Sequence, residues 1–257
     1  MKELSKIRYL GLWIFLLSFF SVNTCLILSQ VLPFKELGVE IPGSYFYQWK
    51  IFTAGDAIGE KGSEWIFPYF DGISSISRVV RVFPNSLIFK PAIFLVGIFL
   101  IRYWLLNSRF IKYSNLELNK KELKKMVFFG ISSAIFLIIH SIFLGIKFDI
   151  SIYKLFRRVI LLCFIIFEIT AQFYLIKIFY RNKEKIKMFI SQKILTLKKI
   201  LVYTLIVIAI LILPFLPFNN LKILKHIMEW NYFLGVISFY LLTFFLWKKD
   251  AHILKKV

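Results

Sequence analysis

Six long apolar stretches, separated by shorter polar connections, dominate the chain. Each contains about 20 residues, the length a helix needs to cross the ~30 Å hydrocarbon core of a bilayer. The pattern therefore predicts an all-α integral membrane protein with a bundle of six transmembrane helices. We interpret residues 1–257 as a single polytopic membrane domain. The predicted spans are approximately 9–30, 87–106, 126–146, 157–180, 199–218 and 229–247.

The composition agrees with this prediction. Hydrophobic residues make up 59% of the 257 residues, whereas a soluble domain is roughly 45–50% apolar. Cys25 and Cys163 both fall inside predicted spans, which disfavours a disulfide framework. The first apolar run exceeds the length of a signal-peptide core, so we interpret it as an uncleaved helix.

Basic residues are concentrated in alternate connections. The N-terminal tail, residues 107–125, residues 181–199 and the C-terminal tail are strongly basic, whereas the long connection 31–86 carries nearly equal numbers of acidic and basic side chains. Cytoplasmic loops of membrane proteins are enriched in Lys and Arg. The pattern therefore predicts that both termini are cytoplasmic and that 31–86 is a long outer loop. Basic inner loops are typical of a bacterial inner (plasma) membrane.

The formal net charge of +20 raises the alternative of nucleic-acid binding. The charge lies in blocks beside apolar spans, and the sequence has no zinc-finger or helix-turn-helix signature. We therefore predict membrane lipids as partners and no nucleic acid. No catalytic motif such as G-x-S-x-G, a P-loop or H-E-x-x-H is present, which favours a non-enzymatic role. No cofactor is predicted, and the scattered histidines predict no metal site.

Two segments outside the spans have an amphipathic character. The aromatic segment 43–52 predicts either a short strand or an interfacial stretch of the outer loop. In 181–199, apolar residues recur at Ile186, Ile190, Ile194 and Leu197. This spacing is typical of an amphipathic helix on the inner leaflet; we favour the alternative, in which the lysines of this segment only determine topology.

Ionisable and amide side chains within spans are costly and are candidates for function. Glu168 and Gln172 lie four residues apart, on one face of the fourth span, and His140 lies in the outer half of the third. We expect Glu168 to face the bundle interior and either to carry a proton or to pair with His140 or a hydroxyl. The group predicts a polar or proton-linked site, or hydrogen bonds that only fix helix packing.

A second set of charged residues lies near the outer face. Arginine matches the geometry of phosphate, so these residues could contact lipid headgroups. For the arginines of the fourth span, pairing with Asp71 or Asp149 and snorkelling to the surface are the alternatives. Glu229 and Trp230 also fit ordinary roles as a helix-terminus carboxylate and an interface anchor. The headgroup candidates are Asp71, Arg78, Arg81, Arg157, Arg158, Glu229 and Trp230.

Short motifs at the end of the outer loop carry a family resemblance. The segments FPYFDGISS (67–75) and FPNSLIF (83–89) look like the P-x-I-S-like motif and the P-E-S-x-I-F helix entry of the DRAM-type family (damage-regulated autophagy modulators). That family also groups the GPI-anchor lipid-remodelling proteins, and its members have six membrane helices with a long first loop. The motif's acidic residue is Asn85 in this chain.

The last span adds to the resemblance. The family's sixth helix opens with Glu-Trp and carries a later threonine, as do Glu229, Trp230 and Thr243 here. In the neighbourhood of the family's fourth-helix histidine this chain has Glu168. The lysine-, isoleucine- and phenylalanine-rich composition suggests a bacterial, divergent member. The resemblance implies that the protein binds, sorts or helps to remodel phospholipids at the outer half of the bilayer.

Three functional hypotheses follow from these observations. The first is lipid binding or remodelling at the outer face. The second is a small transporter or channel-like protein that uses Glu168, Gln172 and His140. The third is a membrane assembly or anchoring subunit, whose basic inner loops contact a protein partner or whose spans form a homo-oligomer.

Overall fold

The computed structural model describes residues 2–31, 66–81, 84–114, 116, 119–145, 151–212 and 221–248. Within these ranges the chain forms helices and, apart from them, only an isolated antiparallel bridge between Ile190 and Trp247. The helices are α1 (Lys2–Val31), α2 (Ile76–Val80), α3 (Asn85–Tyr113), α4 (Lys120–Phe143), α5 (Ser151–Arg181), α6 (Lys183–Ile186), α7 (Gln192–Ile212) and α8 (Lys222–Leu246).

Six of these helices, α1, α3, α4, α5, α7 and α8, are long and apolar enough to cross a membrane. The structure thus confirms the predicted all-α bundle of six spans. The helices extend beyond the predicted limits at most ends: α3 begins at Asn85 and continues to Tyr113. A run of apolar residues marks only the part of a helix that crosses the hydrocarbon core. The backbone hydrogen bonding of the helix continues into the polar residues on either side.

The structure corrects the predicted amphipathic helix in 181–199. There, α5 ends at Arg181, the four-residue α6 and a turn follow, and α7 begins at Gln192. Ile186 and Ile190 are buried in the protein rather than facing a leaflet. Here the backbone bonds to the end of α8 instead of continuing a helix: the Ser191 N–H donates to the Leu246 carbonyl, and the Lys248 N–H donates to the Phe189 carbonyl.

The described helices pack around a shared core. α1 packs on α3 and α8, α4 packs on α3 and α5, and α7 packs on α5 and α8. Gly130 of α4 lies against the Trp104 ring of α3, so close that an added Cβ would be 2.4 Å from the ring. Apolar side chains such as Phe20, Phe128 and Ile210 point outwards and are exposed, as expected for a surface that lipid covers.

Contacts between distant residues define two ends of the bundle. At the loop end, residues 66–81 lie against α8, and the end of α1 meets the start of α3. At the tail end, where α1 begins, Glu122 of α4 pairs with Arg181 of α5. The aromatic segment 43–52 lies outside the described residues, as does Asp149.

Candidate functional site at the loop end

Asp71 shapes the turn that begins the described part of the loop. Its Oδ2 accepts a hydrogen bond from the Phe67 backbone N–H (2.5 Å), and its Oδ1 accepts one from the Ile73 N–H (2.9 Å). Gly72 follows with φ +60°, and an added Cβ would lie 2.3 Å from the Ile223 carbonyl oxygen of α8. Asp71 is therefore committed to the turn, and it forms no ion pair with a described residue.

Three side chains of α8 attach this turn to the bundle. The Trp230 indole N–H donates to the Ser74 carbonyl (2.8 Å), and the Asn231 amide donates to the Tyr69 carbonyl (2.8 Å). His226 Nδ1 lies 2.8 Å from the Gly72 carbonyl oxygen, so this nitrogen donates. The predicted headgroup contact Trp230 is fully buried and holds the loop in place.

Glu229 has a comparable structural contact. Its Oε1 accepts a hydrogen bond from the Ser77 backbone N–H in the first turn of α2, at 3.4 Å. Hydrogen bonding to a helix-terminal N–H is a common use of a carboxylate. Together with Trp230, Glu229 therefore positions α2, the helix that carries Arg78.

Asn85 joins three helices beneath this surface. Its Nδ2 lies 2.9 Å from the Cys25 carbonyl oxygen, 2.8 Å from the Ser29 hydroxyl and 2.8 Å from the Val79 carbonyl oxygen. The side chain is fully buried. Because two of these acceptors are carbonyls, the position requires a donor, which an amide provides and a carboxylate does not.

Arg81 follows α2 and has two positively charged neighbours, Arg78 of α2 and Arg157 of α5. Partial desolvation lowers the pKa of the Arg81 guanidinium, and the neighbouring charges of Arg78 and then Arg157 lower it further. An arginine nevertheless remains protonated near neutral pH. No acidic side chain in the described part of the chain forms an ion pair with any of the three. We call these residues the arginine cluster.

Arg157 differs from its neighbour Arg158. The Nε of Arg157 is buried and has no hydrogen-bond partner among the described residues, and its guanidinium lies 5.3 Å from the centre of the Tyr153 ring. His140 Nδ1, which interacts electrostatically with Arg157, is likewise buried without a described partner. Arg158 is exposed. The two orphaned nitrogens mark a place where a ligand could accept and donate hydrogen bonds.

The other predicted group, around Glu168, lies inside the bundle. Glu168 and Gln172 are both buried, and the Gln172 amide donates to Glu168 Oε1 at 3.0 Å. The Tyr240 hydroxyl also donates to Oε1, and the Ser133 hydroxyl lies 2.7 Å from Oε2. Glu168 thus meets hydroxyls from α4 and α8 rather than His140, which lies about two turns away along α4.

A second buried polar group adjoins this one and includes a residue that the sequence patterns did not single out. Lys198 is 1% exposed, and its Nζ donates to the Thr243 hydroxyl at 2.7 Å and lies 3.7 Å from the centre of the Phe239 ring. The Tyr103 hydroxyl lies 3.1 Å from the same threonine oxygen. Among the described residues Lys198 has no ion pair.

Helical spacing in the sequence could have identified Lys198 as buried, whereas no such signal marks Asn85. Lys198 shares a helix face with Leu195, Val202 and Leu205, all of them buried, at a helical spacing that predicts burial. The many basic residues that surround Lys198 in 181–199 obscure this signal. Asn85 follows a proline at the start of a helix. A polar side chain is common at such a position and does not by itself predict burial.

Comparison with known proteins identifies no relative: no family model, no curated protein and no solved structure matches the chain. Among the described residues, no group of three or more His, Cys, Asp or Glu side chains could hold a metal ion.

Proposed function

We propose that this integral membrane protein binds the phosphate headgroup of a membrane phospholipid through Arg78, Arg81 and Arg157. The observation that carries the proposal is that Arg78 and Arg157 both act electrostatically on Arg81, while none of the three forms an ion pair with a described acidic residue. Like charges held close together repel one another, and a bound anion relieves that repulsion.

The number of donors in the cluster matches a phosphate more closely than a chloride or a lone carboxylate. Each guanidinium presents a planar fork of N–H donors that pairs with two oxygens of a carboxylate or a phosphate, and three guanidinium groups offer more donors than the two oxygens of one carboxylate can accept. The buried Nε of Arg157 has a donor without a described acceptor. The cluster also lies at the end of the spans, which is the depth of lipid phosphates.

Orientation and resemblance support the same proposal. The basic connections favour a cytoplasmic tail end, so the loop end would face outwards, in the manner expected of a bacterial inner-membrane protein. The described parts of the segments that resemble the DRAM-type family, 67–75 and 84–89, lie at the same end of the bundle as the arginine cluster. We therefore propose a lipid-organising or lipid-remodelling role in the outer leaflet, like that implied by the resemblance.

The test is native mass spectrometry of the full chain released from nanodiscs that contain phosphatidylcholine and phosphatidylglycerol. The triple variant Arg78→Gln, Arg81→Gln, Arg157→Gln should lose one retained phospholipid. The matched control is Arg109→Gln, Lys112→Gln, Lys193→Gln, which removes the same charge from exposed positions at the tail end.

The two variants separate a specific site from general attraction to an anionic surface. Retention of all lipids by the arginine-cluster variant would refute the proposal, and so would equal losses in the two variants. A protein of fixed stoichiometry that co-purifies with the chain, in place of lipid, would favour the assembly-subunit hypothesis.

Proton-linked transport is a second candidate, favoured by the buried carboxyl of Glu168. A hydroxyl has one hydrogen, yet the Ser133 Oγ lies 2.8 Å from the Gly130 carbonyl oxygen and 2.7 Å from Glu168 Oε2. Both contacts are hydrogen bonds if Glu168 carries a proton. Proton flux into liposomes that is lost in Glu168→Gln would support transport, and liposomes without flux would exclude it.

A further inference from the structure

A groove between α5 and α7 opens at the tail end of the bundle, far from the arginine cluster. It encloses a cavity of about 250 Å³. Its walls combine cationic and aromatic side chains, among them Phe173, Lys177, Tyr180, Arg181, Lys199 and Tyr203. No residue of this set belongs to the loop-end site.

The mouth of the groove carries an excess of positive charge. Glu122 pairs with both Lys177 (2.8 Å) and Arg181 (2.9 Å), while the side chains of these two cations remain 45% and 36% exposed. Lys199 makes no ion pair among the described residues; its Nζ lies 4.1 Å from the centre of the Tyr180 ring. Three cations therefore face one carboxylate, which leaves positive charge to attract an anion.

The deeper part of the groove is aromatic. The rings of Phe173 and Tyr203 lie 6.0 Å apart, edge to face, and Tyr203 is 48% exposed. Phe173 precedes Lys177 on α5, which runs towards the tail end, and Tyr203 follows Lys199 on α7, which runs away from it. Both rings therefore lie further into the membrane than the cations.

We infer that this groove binds an anionic phospholipid of the leaflet at the tail end. The headgroup phosphate would contact Lys177, Arg181 and Lys199, and an acyl chain would lie along Phe173 and Tyr203. The groove has cations near the membrane surface and aromatic rings deeper in the membrane. A phospholipid has its anionic headgroup and its acyl chains in the same order. Basic pockets between membrane helices bind anionic headgroups in this way.

The inference is tested with the full chain in nanodiscs of phosphatidylcholine with a varied fraction of phosphatidylglycerol. Native mass spectrometry measures the retention of phosphatidylglycerol at each fraction. The variant Lys177→Gln, Lys199→Gln should weaken retention about tenfold or more, because each lysine near the surface contributes to anionic-lipid attraction. Arg181 stays in place to pair with Glu122.

Two further variants guard against loss of folding and against general charge effects. Lys112→Gln, Lys193→Gln removes the same charge from exposed positions at this end and should retain the lipid. Lys177→Arg, Lys199→Arg keeps the charge and should also retain it. Equal weakening in both glutamine pairs would overturn the inference, as would unchanged retention in the groove variant.

A lipid is distinguished from a free anion by competition. Inorganic phosphate at millimolar concentration should leave the retained phosphatidylglycerol in place, and displacement by phosphate would overturn the assignment to a phospholipid. The groove and the arginine cluster are also separable, because substitution at each should remove a different one of two retained lipids. Failure at one site therefore leaves the other proposal standing.

Discussion

The Lys198 amino group donates to the Thr243 hydroxyl across 2.7 Å inside the helix bundle. Thr243 in turn donates to the Phe239 carbonyl (3.0 Å), and its oxygen is also 3.1 Å from the Tyr103 hydroxyl. The threonine therefore accepts from the lysine while its own hydrogen is used elsewhere. A buried amino group with so few partners is costly, and its removal has consequences that can be predicted.

Thr243→Val should destabilise the protein by about 1–3 kcal/mol, because it leaves the Lys198 amino group without its hydroxyl partner in a buried site. Lys198→Met should be nearly neutral or stabilising, since a flexible apolar chain replaces a buried polar group. The Thr243→Val, Lys198→Met double variant should recover most of the loss. Thermal unfolding in detergent provides the measurement. A Lys198→Met variant less stable than Thr243→Val would contradict this account.

Glu168→Gln should fold with nearly the stability of the native protein. A glutamine oxygen can accept from Tyr240 and Gln172, as Oε1 does now, and its amide can donate to Ser133. Glu168→Ala should cost about 1–3 kcal/mol or more, because it leaves these buried groups unpaired. The same unfolding assay compares the two variants. Equal losses of stability in Glu168→Gln and Glu168→Ala would mean that the bundle requires the charge of Glu168 rather than its hydrogen bonds.

Asn85→Asp should be more destabilising than Asn85→Ala at neutral pH. The aspartate would introduce the acidic residue that the DRAM-type motif has after its proline, but here it would face the carbonyl oxygens of Cys25 and Val79. Placing a carboxylate against carbonyls adds repulsion to the loss of the amide donor. The unfolding midpoints of the two variants test this order of stability. An Asn85→Asp variant as stable as the native protein would contradict the prediction and show that the surrounding helices can rearrange.

Arg157→Gln should weaken phospholipid retention about tenfold, since charge-assisted hydrogen bonds to a phosphate are lost. Arg158→Gln removes the same charge one residue away, from an exposed side chain, and should have only a small effect. Native mass spectrometry of the two single variants gives the comparison. Equal effects would indicate attraction to net charge rather than a site built by the fold.

Gly72→Ala should detach the turn 66–75 from α8. Its φ of +60° disfavours any residue with a Cβ, and the added atom would collide with the Ile223 backbone. Limited proteolysis of the protein in nanodiscs should therefore cut this turn faster than in the native protein. Gly145→Ala is the control, because its φ is also positive but the nearest atom is 3.3 Å away. Equal protection of native and Gly72→Ala protein would exclude a role for the close approach.

The sequence by itself determined the number of spans, their approximate positions and the fold class. The thickness of a bilayer sets the length of each apolar run, so this information is local. Burial of Glu168 and Gln172 was predictable for a related reason: a polar pair on one helix face avoids lipid. Orientation and lipid binding remain predictions.

Only the tertiary structure decided which polar groups meet. The Trp230 side chain contacts the carbonyl of Ser74, 156 residues earlier, and Asn85 contacts Cys25 across 60 residues. Helical periodicity indicates which face of a helix is buried but not which neighbour covers it. For the same reason the arginine cluster, the contact of Lys198 with Thr243 and the groove between α5 and α7 emerge only when the helices are packed together.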